Sequence, residues 1–248
     1  MRSRATSASW PDYVLGGSIG VLTLLAWLAL WLWGKSPSGH MLMHGSAQGA
    51  FTGIFILGWT LMTVAMMLPT AVPLLVMFRR MVAGTGDSAS LVTLLIAGYL
   101  GVWIVFGVVA QSANRLAAQA LQAIGTPWIA GAAILLIAGI YQFTPLKYAC
   151  LEKCQTPRSF IISRWRGGNR QWQSLRIGIE HGIFCVGCCW SLMLLMFLVG
   201  AGSLGWMFLL GAVMALEKNF PFGKRMSAPV GVILIAAAGF VTYQGLAA

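Results

Sequence analysis

Long uncharged, apolar runs alternate with short polar segments along most of this chain. A bilayer core about 30 Å thick is crossed by about 20 apolar residues in a helix that rises about 1.5 Å per residue. Seven runs approach or exceed that length, so the pattern predicts seven transmembrane helices. They are residues 14–33, 51–78, 91–111, 128–148, 183–200, 203–219 and 228–247.

The fifth and sixth predicted spans belong to one uncharged run, from Gly182 to Leu216, and we expect the chain to reverse direction within residues 200–205. No internal repeat, low-complexity tract or second domain interrupts the series. The pattern predicts an all-α fold, a polytopic integral membrane helix bundle that forms a single membrane domain over residues 1–248. The first run is longer than the roughly 7–15 apolar residues of a cleavable signal peptide, and we expect it to remain as an anchor.

Composition agrees with a membrane location. The chain is 58% hydrophobic and 8% charged, whereas soluble domains typically have about 25% charged residues. Its formal net charge is +11, but the basic residues flank apolar runs and form no stripe with interleaved aromatic residues, as a nucleic-acid surface would. We therefore expect membrane lipid as a partner, and no nucleic acid.

The distribution of basic residues indicates the orientation, because cytoplasmic loops of membrane proteins are enriched in Lys and Arg. With the N-terminus inside, all of the 16 Lys and Arg residues except Lys35 and Arg115 fall on the cytoplasmic side. The chain is therefore predicted to be a multi-pass protein of the cell (inner) membrane, with its C-terminus outside. A version with six spans places the basic residues from Lys218 to Arg225 outside and agrees less well with this rule.

One long polar connection, residues 151–179, is predicted to be a basic cytoplasmic loop. Its arginines surround Trp165 and Trp172, a combination typical of segments that lie on lipid headgroups. A positive loop that only fixes the topology explains the same residues.

Three cysteines at the start of the fifth span have helical spacing. They are Cys185, Cys188 and Cys189. Positions i, i+3 and i+4 lie on one face of a helix, and His181 one turn earlier and Met196 two turns later extend that face. Glu180 points the other way. The face therefore carries only soft or borderline metal ligands.

Two further cysteines, Cys150 and Cys154, lie one helical turn apart after the fourth span. Both groups flank the 151–179 connection, and we expect them to meet in space near the cytoplasmic side. A single buried cysteine is commonly a small hydrophobic residue, but five in two helical clusters at one depth indicate ligands or redox chemistry. Their odd number argues against a disulfide framework.

The second span combines methionines with two prolines. Pro69 and Pro73 each remove a backbone hydrogen bond and free the carbonyls of Ala65 and Pro69, so this face should be buried against other helices or a cavity. The methionines of the segment are Met62, Met66 and Met67. Thioethers bind soft metals, but methionine also fills apolar cores, and the sequence leaves packing and ligation equally open.

The loop between the first two spans contains histidine and methionine side by side, in His40, Met41, Met43 and His44. This group is a candidate outer capture site for copper, because thioethers favour Cu(I) and imidazole suits either oxidation state. Histidine and methionine are also ordinary loop residues.

Glu217 is the only acidic residue within an apolar run, and ionisable groups inside a membrane are functional candidates. A structural clamp formed with Lys218 or Lys147 explains it equally well. These lysines, with Lys153, could also neutralise a negatively charged metal–thiolate site.

Several of these residues belong to motifs that follow one another in a specific order. The motifs are Met66-Met67-Leu68-Pro69 with Pro73, then Tyr141-Gln142-Phe143-Thr144-Pro145-Leu146-Lys147 leading to Cys150, Cys154 and Pro157, then Gly182 to Trp190 with its three cysteines, and finally Glu217-Lys218. In this order they resemble the predicted metal-binding integral membrane proteins of domain of unknown function 2182, over roughly residues 55–220. The resemblance implies metal binding, with some members associated with copper supply to copper enzymes. The histidine pair, the basic segment after Pro157 and the seventh span lie outside these motifs.

Three functions fit these features. The leading hypothesis is Cu(I) binding, with delivery or transport for copper enzymes or copper homeostasis, because thiolates select Cu(I) or Zn(II) and nearby thioethers favour Cu(I). Its partner would be a copper enzyme or a soluble copper chaperone. The second is a structural or sensory Zn(II) site made of four thiolates.

The third hypothesis is a membrane thiol-disulfide oxidoreductase that exchanges electrons with a quinone. It is disfavoured because the charge distribution places the thiols near the reducing cytoplasm. The sequence also lacks a converging Ser, His and Asp set for hydrolysis. We therefore expect a binding protein and not an enzyme.

Overall fold

The computed structural model describes residues 10–35, 51–124, 128–165, 168–199 and 203–247. Within these ranges the regular structure is entirely helical. The helices are α1 (Trp10–Gly34), α2 (Phe51–Met66), α3 (Val72–Val82), α4 (Ser88–Ile124), α5 (Trp128–Tyr141), α6 (Pro145–Gln155), α7 (Pro157–Arg164), α8 (Arg170–Leu194), α9 (Met196–Val199), α10 (Leu204–Asn219) and α11 (Gly223–Ala247). The predicted all-α helix bundle is confirmed.

Four helical segments in the described parts of the chain are long and apolar enough to cross a membrane on their own. They are Val14–Gly34, Ser88–Ala120, Arg170–Leu198 and Gly223–Ala247. Two bent helix pairs reach the same length together, so the structure gives four to six candidate spans. Helix α10 matches the predicted sixth span, but its 16 residues fall short of that length. Seven spans, and an N-terminus inside, stay predictions.

The second predicted span, 51–78, is not one continuous helix. Helix α2 ends at Met66, a 3₁₀ turn occupies Pro69–Ala71, and α3 follows at an angle of 46° to the first segment. A proline inside a helix removes a backbone hydrogen bond, which explains why the helix breaks near Pro69. The carbonyl of Pro69, expected to be free, accepts the backbone N–H of Val72.

The fourth predicted span, 128–148, is also interrupted. Helix α5 ends at Tyr141, and α6 begins at Pro145 after a bend of 65°. The side chain of Thr144 accepts the backbone N–H of Lys147 at 3.3 Å, and proline at the first helical position needs no N–H partner. The Thr-Pro pair therefore starts a new helix, which carries both Cys150 and Cys154 out of the direction of α5.

The connection 151–179, predicted as a loop, is mostly helical. Helix α6 extends to Gln155, α7 follows at Pro157, and Asn169 caps α8 by accepting the backbone N–H of Trp172 at 3.2 Å. Two arginines, Arg164 and Arg176, pair with Glu180. The two arginines that pair with Glu180 lie on α7 and α8.

The other four predicted spans correspond to longer helical segments. The helices start or end outside the predicted limits: 14–33 lies within α1, 91–111 within α4 and 228–247 within α11, while α8 and α9 cover 183–199 apart from Leu195. Apolar runs mark the part of a helix that suits a bilayer, whereas polar residues with adequate helix propensity continue it further.

Helices α4 and α8 form the main packed pair of the bundle, and α6 also packs against α8. Gly178 lies directly on the backbone of Leu95, so close that a Cβ at Gly178 would overlap the Leu95 carbonyl. The Ser174 hydroxyl donates to the carbonyl of Leu91 at 2.6 Å. Small residues allow helix backbones to approach in this way, and the approach brings Tyr99 of α4 to the cysteines of α8.

Candidate metal centre

The three cysteines of α8 lie on its buried face. Cys185, Cys188 and Cys189 are each 1% exposed. The thiols of Cys188 and Cys189 both donate to the Cys185 carbonyl, at 3.1 and 2.9 Å. Helical spacing therefore gathers three sulfur atoms within one turn, as the sequence predicted.

His181 extends this face by one turn and is 4% exposed. Its ring is stacked on Tyr99 at 5.8 Å and meets Phe160 edge to face. Its Nδ1 has no hydrogen-bond partner in the part of the chain that the structure describes. The imidazole thus keeps a ring nitrogen for a ligand.

Helix α6 brings the second pair of cysteines to α8. The Sγ of Cys154 lies 3.9 Å from the Sγ of Cys188. Cys150 packs on Gly187, where a Cβ would lie 2.6 Å from the Cys150 sulfur. The two cysteine groups therefore form one continuous cluster, and the glycine is what lets α6 approach this closely.

A methionine from the break between α2 and α3 completes the arrangement. The Sδ of Met67 lies 3.9 Å from the Sγ of Cys189, and its carbonyl accepts the hydroxyl of Tyr99 at 3.3 Å. Two sulfurs that share one metal at about 2.3 Å are separated by roughly 3.8–4.0 Å. Both the Cys154–Cys188 and the Cys189–Met67 separations match the spacing of two ligands on one ion.

A buried lysine lies at the centre of these sulfurs. The Nζ of Lys218 is 2.8 Å from the Sγ of Cys185, 3.4 Å from the Sδ of Met67 and 3.5 Å from the hydroxyl of Thr70. The Tyr99 hydroxyl lies 3.0 Å from the same Cys185 sulfur. Charge-assisted contacts of this kind stabilise an anionic acceptor, so Cys185 is placed to be a thiolate.

Glu217, the neighbour of Lys218, faces a different partner. It forms a buried ion pair with Lys147, at 2.7 and 2.9 Å, and accepts the Ser227 hydroxyl at 2.9 Å. Lys147 also donates to the side chain of Gln142. The Lys147–Glu217 pair holds α6 against α10. Of the lysines that we expected near the thiols, only Lys218 contacts a thiol within the described residues.

The remaining predicted site residues divide into two groups. Met62 and Met66 are each 3% exposed, and Met196, which lies just beyond the end of α8, is 1% exposed. The outer histidine and methionine group lies outside the described residues; its members are His40, Met41, Met43 and His44. Among the described residues, no three His, Cys, Asp or Glu side chains are disposed to hold a metal together. The sulfurs instead meet in pairs.

Sequence reasoning missed two residues of this centre, Tyr99 and Thr70. Tyr99 reaches Cys185 across 86 positions of sequence, and no periodicity within α4 marks it. The one local signal was a tyrosine hydroxyl inside a long apolar run, since such a group must find a hydrogen-bond partner when it is buried.

Comparison with known proteins identifies the family. A family model described as a copper chaperone, PpoB2, matches residues 56–241, which include all five cysteines, Met67 and Lys218 but not the outer histidine pair. No curated protein and no solved structure matches the chain at a significant level. The copper association that the family resemblance implies for some members agrees with this description. Since the match covers most of the chain, the protein belongs to the PpoB2 copper chaperone family.

Proposed function

We propose that the protein binds Cu(I) in a membrane-embedded sulfur cluster and passes it to a copper enzyme or a soluble copper chaperone. The sulfur cluster consists of Cys154, Cys185, Cys188, Cys189 and Met67. The observation that carries the proposal is the pair of 3.9 Å sulfur separations beside the Lys218 ammonium. Family membership supports copper as the cargo.

The chemistry of the ligands supports the cuprous ion. Thiolate and thioether ligands are soft and select Cu(I), which accepts the small ligand sets that these sulfur pairs offer. Zn(II) also binds thiolates, but its structural sites take four ligands and do not use thioethers. Cu(I) gives Met67 a role in the site, and Zn(II) does not.

Charge balance supports the same ion. Two thiolates around Cu(I) carry a net charge of about −1, and a charge in a low-dielectric interior needs a partner. Lys218, which is 6% exposed, supplies one positive charge at the sulfur cluster. Four thiolates around Zn(II) would carry about −2 and leave one negative charge without a partner at this position.

Exposure supports exchange with a partner through α6. Cys154 is half-buried, whereas the three thiols of α8 are buried. A ligand from a partner therefore meets Cys154 first, and copper can move by stepwise exchange of sulfur ligands. Binding and transfer of this kind involve no bond-making in a substrate, so the proposed function is not enzymatic.

A thiol-disulfide oxidoreductase is the second candidate, and the close approach of Cys154 to Cys188 favours it. Closing that pair as a disulfide would release two electrons and two protons, which a quinone could accept. The Lys218 ammonium and the Met67 thioether have no part in that reaction.

Metal analysis tests these candidates. The protein would be purified in detergent under reducing conditions, offered Cu(I) and Zn(II) together, desalted and analysed for metal. We expect about one copper per chain, and loss of it in Cys185→Ser/Cys189→Ser. Retention of zinc in place of copper would select the zinc site, and absence of both metals with quinone-dependent thiol oxidation would select the oxidoreductase.

A further inference from the structure

The methionines of this protein are not spread evenly through its core. Ten of the 13 methionines lie in the ranges that the structure describes, and seven of these are no more than 3% exposed. They are Met62, Met66, Met67, Met193, Met196, Met207 and Met214. All seven come from α2 and the break after it, from the end of α8 with α9, and from α10. These three parts of the chain pack against one another.

A contact between α2 and α10 places one of these thioethers against the helix face that carries two others. Met66 packs on Gly211, where a Cβ would lie 3.5 Å from both the Cγ and the Cε of Met66. Met207 and Met214 are one turn before and one turn after Gly211, so they share its helix face. The missing side chain at Gly211 leaves room for the Met66 thioether between two thioethers of α10.

Helix α8 continues the arrangement from its own side. Met193 is four residues after Cys189 and extends the cysteine face along α8, and Met196 follows just beyond the end of that helix. The ring of Phe197 is stacked on Trp59 of α2 at 5.8 Å. This contact fixes α9 against α2 at the end of the bundle that is remote from Lys218.

The thioethers are continuous with the sulfur cluster. Met66 is the sequence neighbour of Met67, whose sulfur contacts Cys189 and Lys218. Met214 lies one helical turn before Lys218, which contacts Cys185. Two independent helices therefore lead from the thiols into the group of methionines.

From these positions we propose a second Cu(I) binding region, the methionine column, which consists of Met66, Met193, Met196, Met207 and Met214. It extends the sulfur cluster along the bundle toward α9 and the start of α10, so that Cu(I) entering or leaving the thiols moves from one thioether ligand to the next. The inference rests on the proposed function, because it concerns the same cargo.

Charge distinguishes the methionine column from the thiols. A thioether is neutral, so Cu(I) held by methionines alone keeps its positive charge in a low-dielectric interior, which is costly. Cu(I) held by thiolates is neutralised. The methionine column therefore binds more weakly than the sulfur cluster, as a path for an ion requires.

Titration with Cu(I) under anaerobic conditions, in competition with a chromogenic Cu(I) chelator, tests this inference. We expect two classes of binding in the unaltered protein. Met66→Leu/Met214→Leu should weaken the weaker class at least tenfold and leave the tighter class unchanged.

Leucine has nearly the volume of methionine, so such exchanges are well tolerated in cores, and the helical circular dichroism signal confirms folding. Met77→Leu/Met226→Leu is the matched control, since both residues lie outside the column and are only partly buried.

The outcomes separate this inference from the proposed function. An unchanged weaker class in Met66→Leu/Met214→Leu would overturn the methionine column while leaving the thiol site intact. A Cys185→Ser/Cys189→Ser variant should lose the tighter class and keep the weaker one. If the methionine double variant does not fold, Met193→Leu and Met207→Leu, each made alone, are expected to reduce the weaker class. Absence of any copper from the unaltered protein would overturn both proposals.

Discussion

The ammonium of Lys218 and the sulfur of Cys185 lie 2.8 Å apart in the interior of the bundle, and each side chain is at least nine-tenths buried. The contact joins α10 to α8. Among the described residues, Lys218 is the only cationic side chain in contact with a thiol. A positive charge at this distance favours the thiolate, which is the form of cysteine that binds metal.

Removal of this charge should weaken copper binding. In Lys218→Met a dithiolate copper complex keeps its negative charge unpaired, and we expect Cu(I) affinity to fall at least tenfold, which corresponds to about 1.4 kcal/mol. Competition with a Cu(I) chelator measures the change. Lys224→Gln is the matched control, because the Lys224 side chain is 43% exposed and pairs with the exposed Glu152. An equal loss in both variants would show that the contact with Cys185 is not the cause.

The clamp between Lys147 and Glu217 should act on stability rather than on copper. Removing one partner of a buried ion pair leaves an uncompensated charge and typically costs about 3–5 kcal/mol. We expect Glu217→Gln and Lys147→Met each to lower the free energy of unfolding in detergent by this order. The double variant Lys147→Met/Glu217→Met should recover a large part of the loss. A double variant as unstable as the sum of the single ones would contradict this assignment.

Close packing of α4 on α8 should be required for the centre. In Gly178→Ala the new methyl group overlaps the carbonyl of Leu95, and overpacking of this kind costs typically about 1–3 kcal/mol. Separation of the helices also draws Tyr99 away from Cys185, so thermal stability and copper affinity should fall together. Gly101→Ala in the same helix pair provides the control, because a Cβ at Gly101 meets nothing within 4 Å.

The difference in exposure among the cysteines predicts an order of chemical reactivity. Cys154 is half-buried and Cys185 is 1% exposed, so a small thiol reagent should modify Cys154 at least tenfold faster in metal-free protein, as access governs reaction of otherwise competent thiols. Mass spectrometry of peptides after timed labelling measures the order. Prior loading with Cu(I) should suppress the labelling of Cys154, and labelling at an unchanged rate would exclude this residue from the copper site.

The sequence allowed prediction of those features that depend on local spacing. Apolar runs gave the positions of the helices, and the i, i+3, i+4 spacing of Cys185, Cys188 and Cys189 gave a buried stripe of thiols. The start of α6 was missed, although the Thr144-Pro145 pair is a recognisable helix start. That omission hid the bend that turns Cys154 toward Cys188.

Contacts between distant parts of the chain could not be predicted in this way. Lys218 reaches Cys185 across 33 positions and Met67 across 151, and only the packing of separate helices decides such pairs. The buried methionines of α10 also gave no signal, since methionine is common in apolar segments. Their significance comes from Gly211, which is visible only once α2 lies against it.

Two adjacent residues of α10, Glu217 and Lys218, bind the two helices that carry the cysteines, α6 and α8. Glu217 binds α6 twice, through its carboxylate to Lys147 and through its carbonyl to the side chain of Gln155 at 2.7 Å, while Lys218 binds Cys185 of α8. Successive side chains on a helix point about 100° apart, so Glu217 and Lys218 contact two different neighbouring helices. One short stretch of α10 therefore fixes the position of α6 relative to α8 at the sulfur cluster.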